Sequence, residues 1–313
     1  MKRPIGLLAC LVPVLFGGTA EVAPQGVGLG SLMYTPFRYT RAWDDDRNDK
    51  PIAADLVDQV NAFLGAPLVD GTYTARYEFW TLGLTAGMTE RTTVQWLLPW
   101  YRSQVRQRIQ VAAPPPQDQE IRAFLASQDL VDGIFESEGF GDFQLWVFHQ
   151  YVHHPAVLMT AGVGWRSPLL AELEGSDTEK LNVGTREAET LLLNHNIDWR
   201  LHERVTLNYR IELQYPFEGR REIFVPGQGA VRVDHTPGWY LTHEVEAKTH
   251  WFSRRVTAAY ATWYRREGKS EVGGVRDAGE SDYLWHKLSL SYSGVPDYEA
   301  GRLPFPFLVD VIY

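Results

Sequence analysis

The sequence predicts an all-β protein, an antiparallel transmembrane β-barrel of ten to twelve strands with long extracellular loops. Three observations predict this class. The chain begins with a stretch typical of a secretory signal, and from residue 73 onward apolar and polar side chains alternate with period two. The connections between the alternating segments are short and long in turn, which is typical of outer-membrane barrels.

The first element, residues 1–20, is predicted to be a signal peptide. Lys2 and Arg3 precede an apolar stretch that ends in small residues, so cleavage is expected after Ala20 or Ala23. Cys10 is the only cysteine, and the apolar region continues past it, which disfavours a lipoprotein cleavage site. The chain beyond it therefore has no disulfide, no thiolate zinc site and no cysteine nucleophile.

Residues 21–72 are predicted to form an N-terminal segment with a short helix, acting as a plug or contributing a first strand within Leu29–Tyr39. Apolar residues at helical spacing end at Gly65, and a similar pattern recurs in the longest loop. The helical residues are Leu56, Val57, Val60, Phe63 and Leu64, then Ile121, Phe124 and Leu125. These helices either fold over or into a pore or pack within the loops.

The same segment contains a weak match to a calcium-binding loop. Asp44, Asp46 and Asn48 have the spacing of the first three ligands, and Asp55 stands at the twelfth position. Asp49 occupies the position where such loops need glycine. A solvated acidic loop is therefore the preferred interpretation.

Residues 73–313 are predicted to form the barrel. The clearest strand places Leu207, Tyr209 and Ile211 on one face and Asn208, Arg210 and Glu212 on the other. The predicted strands are 73–85, 91–102, 140–152, 156–167, 188–201, 204–215, 238–252, 255–266, 281–293 and 304–313. The connections 103–138, 168–186, 216–236 and 267–280 are predicted to be long loops.

Alternation by itself also fits a soluble β-sandwich or barrel with its apolar faces inward. The secretory signal, the alternating loop lengths and an aromatic final residue, Tyr313, favour apolar faces directed at lipid. If all long loops are extracellular, a tenth strand that ends at residue 313 would finish outside the cell. Either a first strand within Leu29–Tyr39 closes ten strands at residue 293, or a missed strand gives twelve.

Two turn motifs resemble those of a known family. Gly87-Met88-Thr89-Glu90-Arg91 leads into a strand that ends at Pro99, and Gly139-Phe140-Gly141-Asp142 begins the next strand after a long loop. These motifs resemble the outer-membrane transporters linked to the meta-cleavage pathway of phenol degradation. The resemblance covers about the central half of the chain. It implies transport of small, often hydrophobic or aromatic compounds.

The predicted polar belt inside the barrel comprises residues at neighbouring mid-depth positions on three consecutive strands. They are Asn194, Asn196, Arg210, Glu212, Glu244, Glu246 and Lys248. Either this belt selects solutes, or its opposed charges only stabilise the wall, and the second interpretation is favoured.

No catalytic or metal site is predicted. His149, His195, His243 and His286 share the lipid-facing phase, but no serine matches them in depth, which argues against a membrane-embedded hydrolase. His153 and His154 lack the further ligands that zinc needs. The protein is therefore predicted not to be an enzyme and to need no cofactor.

The expected function is passive uptake of small, hydrophobic or aromatic molecules through a channel in the outer membrane of a Gram-negative bacterium. The alternative is a structural or adhesive surface protein with a closed lumen. The expected partners are outer-membrane lipid, the barrel-insertion machinery and a small-molecule solute. A net charge of −9 argues against nucleic acid.

Overall fold

The computed structural model describes most of the chain from residue 20 to residue 312. The described ranges are 20–23, 25–26, 28–43, 49–51, 53–127, 132–170, 172–174, 187–225, 229–252, 255–276, 281–294, 297, 300–302 and 308–312. Residues 1–19 of the predicted signal peptide, with Cys10, lie outside the described residues. So do the candidate calcium ligands Asp44, Asp46 and Asn48, as well as Tyr313.

Strands dominate the described chain. In order they are β1 (Gly28–Tyr39), β2 (Arg41–Trp43), β3 (Asp49–Pro51), β4 (Val69–Thr89), β5 (Thr92–Val111), β6 (Gly133–Phe140), β7 (Phe143–His154), β8 (Val157–Ser167), β9 (Glu172–Glu174), β10 (Thr190–His202), β11 (Val205–Pro216), β12 (Gly219–Val225), β13 (Gly229–Thr236), β14 (Tyr240–Trp251), β15 (Val256–Glu267), β16 (Glu271–Val272), β17 (Val275–Arg276), β18 (Ser281–Ser293) and β19 (Leu308–Ile312). The helices are α1 (Ala54–Leu64) and α2 (Gln117–Ser127). Pro168–Leu170 forms one 3-10 turn.

One curled antiparallel sheet organises the molecule. Its strands follow the path β1-β4-β5-β7-β8-β10-β11-β14-β15-β18-β19, with β6 and β9 as a branch from β5. Eleven described strands thus form the path. It includes β1 and β19, the two strands whose place in the barrel the sequence did not decide. β1 and β19 both run from the end with short turns towards the end with long loops.

The long connections contain more regular structure than the sequence predicted. β5 extends to Val111, so the beginning of the predicted loop 103–138 is strand, and α2 and β6 occupy much of the rest. The prediction stopped at residue 102 because Arg102, Arg106 and Arg108 interrupt the apolar face of this segment. Two further predicted loops contain the small sheet β12-β13-β16-β17.

The two motifs that carry the family resemblance form a tight turn and a break in a strand. Thr89 pairs directly with Thr92, leaving Glu90 and Arg91 as a two-residue turn. The lower part of β5 pairs with β7 and its upper part pairs with β6. Gly139 has a φ of 148°, which favours glycine, and it lies where β6 gives way to β7.

Both helices lie at the long-loop end, against the extension of the β4–β5 hairpin. Val60 of α1 and Ile121 and Leu125 of α2 form an apolar cluster with Val69 of β4. Gly65 ends α1 in the left-handed conformation, with φ 70°. The cluster includes Ile109 on the inward-facing side of β5, so the helices lie beside the mouth of the barrel.

Candidate functional site in the lumen

Burial shows which face of the strands is directed inward. On β14, Glu244 and Glu246 are 0% and 3% exposed, whereas Val245 between them is 50% exposed. The same alternation holds on β11, where every polar residue from Thr206 to Gln214 is buried and its apolar neighbours are not. The apolar faces therefore point outward and the polar faces line an interior. The soluble sandwich with an apolar interior does not fit this arrangement.

The structure brings the seven predicted belt residues together on β10, β11 and β14. Arg210 is the direct cross-strand partner of both Asn196 and Glu244, and Glu212 is that of Asn194. The guanidinium Nη2 of Arg210 lies 2.8 Å from Oε2 of Glu244, and both side chains are almost completely buried. Lys248 pairs with Glu246 at 3.1 Å.

The amides complete the belt on the β10 side. Asn194 donates to Glu212 across 3.5 Å, and Asn196 donates to Asn194. Gln214 donates to the other oxygen of Glu212 at 2.6 Å. Each carboxylate of the belt is thus close to a cation or an amide, as burial of charge requires.

Two members of this site were not predicted. Lys287 on β18 lies 3.7 Å from Glu244 and 3.5 Å from Glu246, bridging the two carboxylates. Trp263 on β15 is buried, with the Arg210 guanidinium 5.5 Å and the Lys287 ammonium 5.3 Å from its ring centre. The period-two pattern placed Lys287 on the polar face, but only the pairing of β18 with β15 sets its depth.

Several buried polar atoms of this site lack a hydrogen-bond partner within the described chain. They include Nε of Arg210, Nε1 of Trp263, Oδ1 of Asn196 and Oδ1 of Asn208. Such groups need a partner, and in a membrane-barrel interior that partner is water or a solute. The chemistry of the site is that of a wet, mixed-charge lumen.

The buried residues of β5 and β7 are uncharged, and they combine apolar side chains with polar ones such as Gln95 and Gln144. Leu97 on β5, Trp146 on β7 and Leu192 on β10 form a buried cluster. Trp146 stacks on Phe148 with ring centres 5.2 Å apart. A second cluster, with Tyr77, Phe79 and Tyr101, continues towards the long-loop end. The inner wall therefore has apolar clusters among the uncharged residues of β5 and β7, and ion pairs on β11 and β14.

Residues 20–23 lie inside the barrel near the short-turn end, and from here on the term N-terminal segment refers to these four residues alone. The Ala20 amide donates to Asp198 at 2.8 Å, and its carbonyl accepts from Gln150 and Thr160 at 2.7 and 2.6 Å. The Ala23 amide donates to Thr93 at 2.8 Å. Inward-facing side chains from several strands thus hold this segment within the bore.

The outward-facing histidines pair with tyrosine or threonine hydroxyls. Tyr209 contacts Nδ1 of His243 at 2.8 Å, and Tyr260 contacts Nδ1 of His286 at 2.7 Å. His195 pairs with Tyr151, and His149 lies 3.1 Å from the hydroxyl oxygen of Thr92. These pairs satisfy polar groups on the lipid-facing side, and the hydroxyl partners were not foreseen from the sequence.

No cluster of three metal-ligating side chains occurs in the part of the chain that the structure describes. His153 instead hydrogen bonds to Gln150 at 2.6 Å. None of the helices within the described ranges has the length and apolar character needed to cross a bilayer.

Comparison with known proteins supports the fold assignment. No family model matches the chain, and no curated protein matches it. Among solved structures, the chain is similar to an outer membrane channel from Pseudomonas putida F1, with a TM-score of 0.57 and 12% identity. The match covers 88% of this chain and 85% of that one. The chain therefore has the fold of an antiparallel transmembrane β-barrel.

Proposed function

We propose that the protein is an outer-membrane channel of a Gram-negative bacterium for passive uptake of small hydrophobic or aromatic molecules. The observation that carries this proposal is the orientation of the wall, with charged side chains inside and apolar side chains outside. The fold shared with an outer membrane channel supports it. We further propose that the chain belongs with the transporters linked to the meta-cleavage pathway of phenol degradation, which its turn motifs resemble.

The inner wall has both apolar clusters and charged groups, so it suits a solute with both apolar and polar parts. Leu97 and Trp146 offer an apolar surface, while the belt offers hydrogen-bonding groups at mid-depth. Passage along such a wall needs no cofactor and no covalent step. We propose that Arg210, Glu244 and Lys287 form the narrow part of the path and determine which solutes cross it.

A closed barrel with a structural or adhesive role is the second candidate. The N-terminal segment favours it, because residues 20–23 occupy the bore and hydrogen bond to several wall residues. In a channel, this segment would have to move or leave room for the solute beside it. The two candidates therefore differ in whether solutes pass.

Liposome swelling with the purified protein separates these candidates. A channel makes the liposomes swell in sugars and other solutes that do not cross lipid by themselves, at a rate that falls with solute size, whereas a closed barrel gives the rate of protein-free liposomes. Fractionation provides the first check, since an outer-membrane barrel is found with the outer membrane and migrates differently in detergent gels before and after heating.

A variant pair tests the contribution of the N-terminal segment. Thr93→Val combined with Thr160→Val removes two of its wall contacts, so swelling and single-channel conductance should rise if the segment obstructs the path. Thr206→Val is the matched control, because Thr206 is also buried on the inner face but contacts His250. Equal conductance in both variants would mean that the segment does not limit flow.

A further inference from the structure

Aromatic rings and cations alternate on the inner face of β14, β15 and β18. We name this group the aromatic–cation ladder, and it consists of Tyr240, Trp263, Arg265, Tyr283, Trp285 and Lys287. The Arg265 guanidinium carbon lies 5.2 Å from the centre of the Tyr240 ring and 5.4 Å from that of Trp285. The Lys287 ammonium nitrogen lies 5.3 Å from the centre of the Trp263 ring. The rings are thus held between fixed positive charges.

Part of the ladder is accessible from the lumen. Tyr283, Trp285 and Lys287 are only half-buried, whereas Trp263 and Arg265 behind them are buried. Tyr283 and Trp285 are parallel to within 3°, with ring centres 5.3 Å apart, and Trp263 meets Trp285 edge-on at 90°. The two half-buried rings offer a flat surface against which another ring can stack.

The ladder also has hydrogen-bond donors that lack an acceptor. Nε1 of the buried Trp263 and Nε of the buried Arg210 have no partner within the described residues. The Lys287 ammonium is 3.5 Å from Glu246 and 3.7 Å from Glu244, both longer than the usual charge-assisted hydrogen bond. The two donors of the ladder itself that could turn to a negatively charged oxygen are therefore the Trp263 indole and the Lys287 ammonium.

The charged groups around the ladder balance, but the two that flank its half-buried rings are the cations Arg265 and Lys287. Arg210 and Lys248 of the belt, together with Lys287, balance Glu212, Glu244 and Glu246. Arg265, one step nearer the long-loop end, adds a cation that hydrogen bonds to the Thr242 hydroxyl through Nε at 2.9 Å. Glu267 lies at the upper end, where it accepts the Tyr283 hydroxyl at 3.2 Å. An anion is therefore best accommodated between Arg265 and Lys287.

We propose that the aromatic–cation ladder is a binding site for small aromatic carboxylates. The ring lies against Trp285, and the carboxylate accepts hydrogen bonds from Lys287 and the Trp263 indole. An aromatic cation would be repelled, a neutral apolar molecule would leave the buried donors unpaired, and an aliphatic acid would lack the stacking interaction. This proposal rests on the proposed function and specifies the solute class.

Binding of radiolabelled benzoate to the detergent-solubilised full chain tests the proposal by equilibrium dialysis. Lys287→Met and Trp285→Leu should each weaken binding about tenfold or more, the effect expected for losing a charge-assisted hydrogen bond or a stacked ring. Arg200→Met is the matched control, since it removes one positive charge from the inner face of β10, a strand that neighbours no strand of the ladder. It should change the affinity less than about threefold.

Competition and folding controls make the result decisive. Unlabelled benzoate should displace the label, and benzyl alcohol and acetate should displace it poorly. Migration of unheated protein in detergent gels shows that each variant is folded, and Trp285→Leu preserves the test if Lys287→Met does not fold. Three results would overturn the proposal: absence of saturable binding, equal weakening by Arg200→Met, or equal competition by benzyl alcohol.

The dialysis result is independent of transport. Benzoate binding without liposome swelling would retain the ladder site and contradict the channel function. Swelling without benzoate binding would contradict the ladder site and leave the channel function intact.

Discussion

Replacing Arg210 by alanine tests whether the belt governs passage. Arg210 and Glu244 are directly opposed on β11 and β14, with 2.8 Å between Nη2 and Oε2, and the two side chains are 5% and 0% exposed. Removing one partner of such a pair typically costs about 3 kcal/mol, because the other charge stays buried. Lys287 is still 3.7 Å from Glu244, so the variant should fold with reduced stability.

The same substitution changes the charge of the belt by one unit. Arg210, Lys248 and Lys287 currently balance the three carboxylates, so the variant lumen carries a net negative charge at mid-depth. We expect its reversal potential in a potassium chloride gradient to shift towards cation preference. We also expect an altered single-channel conductance. Both are measured in a planar bilayer.

Two further variants control this experiment. Arg102→Ala removes an exposed pair with Glu138 at 3.4 Å and should cost about 0.5 kcal/mol or less without a change in ion preference. Arg210→Met combined with Glu244→Gln removes both charges and should recover part of the lost stability. If Arg210→Ala leaves conductance and ion preference unchanged, the belt only stabilises the wall.

Two other outcomes can be measured directly. Tyr209→Phe should lower stability by about 1 kcal/mol in urea unfolding from lipid vesicles, since it leaves Nδ1 of His243 without its hydroxyl partner on the lipid-facing side; equal stability would show that the pair contributes nothing. Hydrogen bonds from Arg255 hold the pKa of Asp297 below its ordinary value of 3.8, so the stabilisation is present at neutral pH and lost as the pH falls below that value. Asp297→Asn should therefore melt lower than the native protein at pH 7 and converge with it in acid; a constant difference would contradict this.

Most of the barrel could be predicted from the sequence because its strands alternate strictly. The segment around Arg210 assigns each side chain to lipid or lumen without knowledge of the neighbouring strand. The extension of β5 to Val111 was missed because both of its faces carry polar residues beyond the membrane. The sequence also did not decide whether β1 is a strand of the barrel, since Gly28, Gly30 and Pro36 interrupt its alternation of apolar and polar residues.

The candidate site was predicted in part, for a reason that lies in strand register. The tight turn between β10 and β11 places Asn196 opposite Arg210, and the tight turn after β14 sets the depth of Glu244 from the same end of the barrel, so the three residues could be grouped from the sequence. Lys287 follows a long connection, whose length gives no register. The N-terminal segment contacts the wall through its backbone amides and carbonyls, and no side-chain pattern reveals such contacts.

The charges of the belt also help to specify the register that brings them together. A slip of one residue between β11 and β14 would turn Arg210 or Glu244 towards lipid, and an arginine at the bilayer midplane costs about 2–4 kcal/mol. A slip of two residues keeps both side chains inward but places Arg210 opposite Thr242 or Glu246 instead of Glu244. Such a slip would separate the closest buried ion pair of the belt. The belt therefore contributes to strand pairing whether or not it also selects solutes, which is why conductance and stability must be measured on the same variants.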